Sequence, residues 1–318
     1  MQQRYRLILF FSLLFTVSFK TIFGQLTPQN ELGFRNDNDV YLMINQDQYY
    51  TNGIYFYYKR TIDSLKYSRK WENKIWSIGI GHKIYNAKNG SIDSPTEVDR
   101  TITGYLYANG EINWYTKKEE VFSLGTELAF IGAKAHGENI QKGFHHIFGF
   151  YDINGWEYQL NNAFGIDARA HYDRLLFRNK KKKMDILMNG NLSLGLNHTR
   201  LSLSPTFRLG RINALFESAA TGSRIQSKNY KPQKELYVFY RPQINWVIYN
   251  STIQGGLLID NKGPVKFDVR PWVFSQLIGF QYANEHIGMN LNYIFNTKEV
   301  ISEASAHQYG SLSFIYYF

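Results

Sequence analysis

"VFSLGTELAFI" runs from Val121 to Ile131, and its reading decides the fold. Phe122, Leu124, Leu128 and Phe130 share one parity, while Ser123, Gly125, Glu127 and Ala129 share the other. Period two marks a strand with one apolar and one polar face. The pattern recurs in "NLSLGLN", where Leu192, Leu194 and Leu196 oppose Asn191, Ser193, Gly195 and Asn197. In "HIGMNLNYIF", Ile287, Met289, Leu291, Tyr293 and Phe295 oppose Gly288, Asn290, Asn292 and Ile294. The polar parities are rich in Gly, Ser and Asn, which suit a wet or crowded interior.

Composition agrees with such strands. Of 318 residues, 24 are Tyr and 23 Phe, and aromatics make up 17%. Mean hydropathy is nevertheless −0.38. Many aromatics with low mean hydropathy fit strands that are apolar on one face only, not a bundle of apolar helices. The chain has no Cys, which excludes disulfides, Cys-based zinc sites and a thiol nucleophile.

Residues 1–24 read as an export signal. "MQQRYR" is a basic start, Leu7 to Phe19 is an apolar run too short to span a membrane with ease, and Gly24-Gln25 is a plausible cleavage point. The formal charge is +10; removing Arg4, Arg6 and Lys20 leaves residues 25–318 near +7. The basic residues form no single stripe, so no nucleic-acid partner is expected, and export favours an anionic membrane surface instead. After residue 24 no apolar stretch is long enough for a membrane helix.

Two architectures bury the apolar parity. A sandwich packs it between sheets; a membrane barrel turns it to lipid and keeps the polar parity inside. The chain end favours the barrel. In "YGSLSFIYYF", Gly310, Leu312, Phe314, Tyr316 and Phe318 share a face and end in a terminal Phe, which resembles the last strand of bacterial outer-membrane barrels. A closed barrel also satisfies every backbone group, as lipid requires. Residues 25–318 are therefore expected to form one all-β, antiparallel barrel domain. Loops or turns are expected at 87–100, 116–120, 179–185, 221–233 and 260–268. The run Lys180 to Lys183 reads as a solvated turn, with contact to lipopolysaccharide phosphates as its functional alternative.

Three patches break the strand pattern. The first joins Asn36-Asp37-Asn38-Asp39 to Tyr50-Thr51-Asn52-Gly53; the second is Asp99 to Gly110; the third is Ile131 to Leu160. Asn and Asp make turns readily, but their oxygens also suit a hard cation such as Ca²⁺. His145 and His146 in the third patch either line a loop or offer an imidazole base for water.

Taken in order, "NDND…DQYYTNG", "DRxxxGYLY", "GxxAxGExxQxxxH", "GWxxQL", "YNSTIQGGL" and "HQYGSLSF" resemble the lipid A 3′-O-deacylase family of Gram-negative outer membranes. The resemblance covers essentially all of residues 25–318. It implies a transmembrane β-barrel of about 12 strands, which fits the length. It also implies removal of the 3′-linked acyl chain of lipid A, Ca²⁺ dependence, and an active site inside the barrel near the outer leaflet. The family's catalytic His follows Gln-x-x-x and maps to His145; its Asn-Asp pair maps to Asn36 and Asp37, and its Thr to Thr51. The implied roles are His145 as base for water, Asn36 and Asp37 near the Ca²⁺ that stabilises the oxyanion, and Thr51 as a positioning group. The expected partners are lipid A or lipopolysaccharide and membrane lipid, with the chain acting as a monomer. Departures fall at His82 to Ala87 and in Asp99 to Tyr107, on the substrate-binding rim. Asn36 and Asp37 are adjacent, so a regular strand would send them to opposite faces unless a strand end or bulge intervenes. An inactive lipid-binding barrel, a solute channel and an outer-membrane phospholipase are the competing readings, and no G-x-S-x-G elbow is present.

Overall fold

A computed structural model describes residues 27–42, 48–63, 70–88, 91–149, 151–227 and 232–318. The export signal expected over residues 1–24 lies outside them. The strands are β1 (Asn30–Asn38), β2 (Tyr50–Thr61), β3 (Trp71–Tyr85), β4 (Thr103–Thr116), β5 (Glu120–Ile131) and β6 (Ala163–Arg178). They continue as β7 (Met184–Gly195), β8 (His198–Arg211), β9 (Glu235–Asn250), β10 (Trp272–Ala283), β11 (Ile287–Asn296) and β12 (His307–Tyr317). Each pairs antiparallel with its sequence neighbour, and β12 returns to β1 from Glu31↔Tyr317 to Asn38↔Gly310. The sheet closes into a barrel of 12 strands, so no edge is left unpaired.

The period-two parities land as expected. Phe122, Leu124, Leu128 and Phe130 are exposed on the outer wall, while Ser123, Glu127 and Ala129 are buried within. Leu32, Phe56, Ile78, Ile166, Leu203 and Ile278 extend the apolar outer band around the wall. Each such side chain left in water forgoes roughly 1.5–3 kcal/mol of burial, so the surface matches a hydrocarbon solvent.

The two ends differ. One carries the start of β1, the end of β12 and the turns 117–119, 179–183 and 284–286; the other carries the long connections 86–102, 132–162 and 251–271. Lys180 to Lys183 therefore sit at the turn end. One connection at that end is long: between β8 and β9, residues 212–227 fold back into the barrel mouth as a plug. Leu215 and Ile225 of the plug pack with Ile75, Tyr115, Val121, Leu187 and Tyr317 of the wall. Tyr115 donates to the Thr221 carbonyl (2.9 Å), and Asn73 donates through Nδ2 to the Ile225 carbonyl (2.8 Å). Beneath it, Arg208 grips both oxygens of Asp185 (2.8 and 2.6 Å) and donates to Ser218 (3.0 Å), while Arg224 reaches Glu235 (3.1 Å). At the opposite end Tyr49, Ile253, Val269, Val300 and Ala304 cap the lumen. Between plug and cap lies a polar cavity of about 320 Å³, whose lining includes Arg35, Lys83, Arg200 and Glu299.

Candidate active site

Strand β1 carries the first expected residues near its loop end. Leu32 faces out and Glu31 is buried, so alternation turns Asn36 outward and Asp37 inward. Asn36 donates through Nδ2 to the Gly53 carbonyl (2.9 Å) and accepts from the Tyr41 hydroxyl. Tyr41 belongs to the 3-10 turn Asp39–Leu42, which folds down over β12. It can do so because residue 310 is Gly: a Cβ there would lie 2.7 Å from the Tyr41 Cβ. Burial and the Asp37 charge push the Tyr41 phenol up to about 12, so it remains a hydrogen-bond donor at neutral pH.

Asp37 is committed elsewhere. Arg35, two residues away on the same face, donates to both its oxygens (Nε–Oδ1 2.8 Å, Nη2–Oδ2 2.5 Å). Tyr50 and Tyr55 add hydroxyl donors at 2.8 and 3.2 Å. The strand pleat thus divides the expected metal pair between the two sides of the wall. Thr51 is the extra residue at a register shift in the β2–β3 pairing. It is buried and accepts from Asn86 Nδ2 at 3.3 Å.

His145 lies on helix α1 (Gly137–Phe148), within the long connection between β5 and β6. The helix packs against the outer wall, not the lumen. On β4, Tyr105 points in to Glu127 (2.6 Å), so Gly104 faces out. A Cβ on Gly104 would lie 2.9 Å from the Gly137 nitrogen. On β3 the buried His82 donates through Nε2 to the Ala135 carbonyl (2.7 Å), just before the helix. Trp156 Nε1 donates to Gln141 Oε1 (3.0 Å), tying the helix to the segment that follows it. Cross-strand register places Asn36, Ile54, His82 and Leu106 in one row around the outside. The structure therefore brings Asn36, Tyr41 and the His145 helix to one outer face, and leaves the Asp37 side chain inside. Of the residues expected to line a site within the barrel, Asn36 and the His145 helix thus lie on its outer side.

One hydrogen bond fixes the chemistry of His145. Its Nδ1 lies 2.9 Å from the Tyr151 carbonyl, and the Tyr151 ring meets it edge-on at 5.0 Å. A carbonyl only accepts, so Nδ1 carries a proton, and in the neutral imidazole the lone pair is on Nε2, the arrangement of a general base. The helix ends at Phe148, and the N–H of Gly149 (φ 69°) donates to the His145 carbonyl.

Sequence reasoning missed a trio inside the barrel. Glu127, Asp167 and His198 place their ligand atoms within 4.8 Å of one another. Their valences are already used. Arg169 donates to Glu127 (2.9 Å), and Asp167 accepts from the Asn197 amide (2.8 Å) and from His198 Nδ1 (3.2 Å). Only their shared inward parity was available in the sequence. Ca²⁺ takes oxygen ligands; one member of this trio offers nitrogen, and a guanidinium stands beside it. The Asn36–Asp37 pair fits the ion no better, because its carboxylate is neutralised by Arg35.

Among solved structures, LpxR from Salmonella typhimurium superposes with a TM-score of 0.72 at 18% identity, covering 91% of this chain and 100% of that one. The β domain of the Bordetella autotransporter BrkA gives 0.43 at 10% identity, over 92% and 99%. No curated protein sequence matches the chain. The family model described as outer membrane protein LpxR matches residues 9–318, so this barrel of the bacterial outer membrane, with its histidine-bearing helix on the outer wall, belongs to the LpxR family.

Proposed function

We propose that the protein is a lipid A deacylase that hydrolyses the 3′-linked acyl ester, with residues 1–24 as its export signal and the barrel acting as a monomer. The observation that carries this reading is His145, held on the outer wall with its lone pair on Nε2 by the Tyr151 carbonyl. Outer-membrane barrels keep short turns on the periplasmic side and longer loops outside. The α1 end is then extracellular, and His145 stands at the leaflet where lipid A resides.

In this mechanism His145 Nε2 takes a proton from water as the oxygen attacks the ester carbonyl. The tetrahedral intermediate collapses with cleavage of the carbon–oxygen bond. The imidazolium returns its proton to the departing alkoxide, leaving a free fatty acid and a hydroxyl on the glycolipid. Asn36 and Tyr41 supply an amide and a phenol on the same outer face to hold the polar head. Thr51 fixes the bulge beside them. The Ca²⁺ dependence implied by the family resemblance requires Asp37 to exchange Arg35 for the ion, and no step is routed through it here. Mass spectrometry of lipid A from cells expressing wild type or His145→Ala tests the proposal. Wild type should release one 3′-linked acyl group, and the variant should lose about 10²- to 10⁴-fold in rate. Unchanged lipid A with wild type, in cells whose barrel is folded, would favour a lipid-binding barrel without turnover.

A further inference from the structure

The outer wall at the periplasmic end carries cations that the reaction does not use. Ile75 is fully buried against the plug, so its neighbour Lys74 points outward from β3. Asp173 is buried in the lumen, so Arg174 points outward from β6, with its side chain 59% exposed and its Nε 4.0 Å from Glu120 Oε1, at the limit of an ion pair. Between them runs a belt of outward aromatic rings. Trp71 lies 6.5 Å from Trp114 and 6.3 Å from Phe122, and Phe122 lies 4.9 Å from Tyr172. Lys70 and Lys74 sit over the Trp71 and Trp114 rings at 4.9 and 5.5 Å. Such belts mark the depth of the membrane interface, and cations beside them reach headgroups while their stems stay in the apolar zone.

Just below the belt lies a second tier. Lys118, Lys180 to Lys183 and Arg211 are exposed, and none has a carboxylate within ion-pair distance among the described residues. The turns that carry them adjoin: Leu175 N–H donates to the Glu119 carbonyl (3.0 Å) and Gly210 N–H to the Lys183 carbonyl (2.8 Å). The tiers form one basic arc from β3 to β8. Topology places it opposite α1, away from lipopolysaccharide, so the phosphate reading of Lys180 to Lys183 moves to another leaflet.

We propose that this arc binds the anionic phosphodiester headgroups of glycerophospholipids in the periplasmic leaflet, phosphatidylglycerol being the simplest such ligand. Outward Lys74 and Arg174 at the aromatic belt favour a lipid over a soluble polymer, because a cell-wall strand would not reach the lipid-facing wall. The site is independent of ester hydrolysis.

The test puts the folded full-length protein into nanodiscs of phosphatidylglycerol and phosphatidylethanolamine and counts retained lipids by native mass spectrometry. Wild type should retain phosphatidylglycerol in preference, and lose the preference near 1 M salt, where the Debye length is about 3 Å. Replacing Lys180 to Lys183 with Gln, or making Lys74→Gln with Arg174→Gln, should lower the preference by about five-fold per neutralised cation. Lys134→Gln at the opposite rim should leave it unchanged. Heat-modifiable migration on gels checks that each variant is folded, and the salt arm needs no variant. Equal retention of both lipids by wild type, or an unaltered preference in both folded variants, overturns the proposal. So does loss of binding to purified cell-wall sacculi in variants that still prefer phosphatidylglycerol.

Discussion

Asp37 illustrates how one residue's neighbours settle its work. Arg35 and Asp37 are two apart on a strand, so they share a face and pair; that contact was readable from the sequence through the pleat alone. The folding of Tyr41 onto Asn36 was not, because it depends on a 3-10 turn and on the bare surface of Gly310 from the far end of the chain. Asp37→Ala strips an acceptor from Arg35, Tyr50 and Tyr55 and should cost about 1–3 kcal/mol, read as a lower denaturant midpoint. Asp37→Asn keeps an acceptor for the phenols and should lose less. Tyr41 gives a prediction in pH. Its phenol titrates near 12 in the fold against 10.0 when free, so the neutral form is the one the fold favours. That contribution is complete below pH 10 and disappears as pH rises through about 12. Melting curves across this range should fall less steeply for Tyr41→Phe than for wild type.

At the scale of elements, strands were legible and their exceptions were not. Period two located the wall because lipid on one side and packed polar groups on the other enforce it at every residue. Helix α1 left a signal in the sequence: Ile140, Gln141, Phe144 and His145 keep a spacing of three and four, and a glycine closes the run at 149. Its seat on the outer wall was not encoded locally, since Gly104 and Gly137 reveal their purpose only when brought face to face. Gly137→Val would drive a side chain into Trp156 and the Gly104 backbone, lifting α1 while the barrel stays closed. The proposed ester hydrolysis should fall by an order of magnitude or more, with heat-modifiable migration unchanged. The plug was hidden for the opposite reason. "INALF", Ile212 to Phe216, is apolar enough for a strand, and nothing within it says that it turns back into the lumen.

For the whole molecule, packed side chains narrow both mouths. The plug fills one and the cluster around Tyr49 and Val300 the other. Planar bilayers containing the intact chain should therefore pass little current, and deleting residues 212–226 should open a conductance. Steady large currents from the unmodified protein would reveal a pore that these clusters do not seal. Glu235 accepts from Ser218, Ala219 and Arg224 and anchors the plug from the wall. Glu235→Ala should destabilise the barrel by about 3–5 kcal/mol, because it leaves Arg224 buried without a counter-charge.

The seat of α1 on the outside of the cylinder has a kinetic meaning for the proposed reaction. In that reaction the substrate arrives sideways, by diffusion within the plane of one leaflet, and does not pass through the lumen. The quantity that saturates the protein is then the mole fraction of glycolipid among its neighbours, not its amount per volume of solution. Diluting the substrate with inert detergent at fixed total glycolipid should slow turnover as if substrate had been removed, while adding water alone should change nothing.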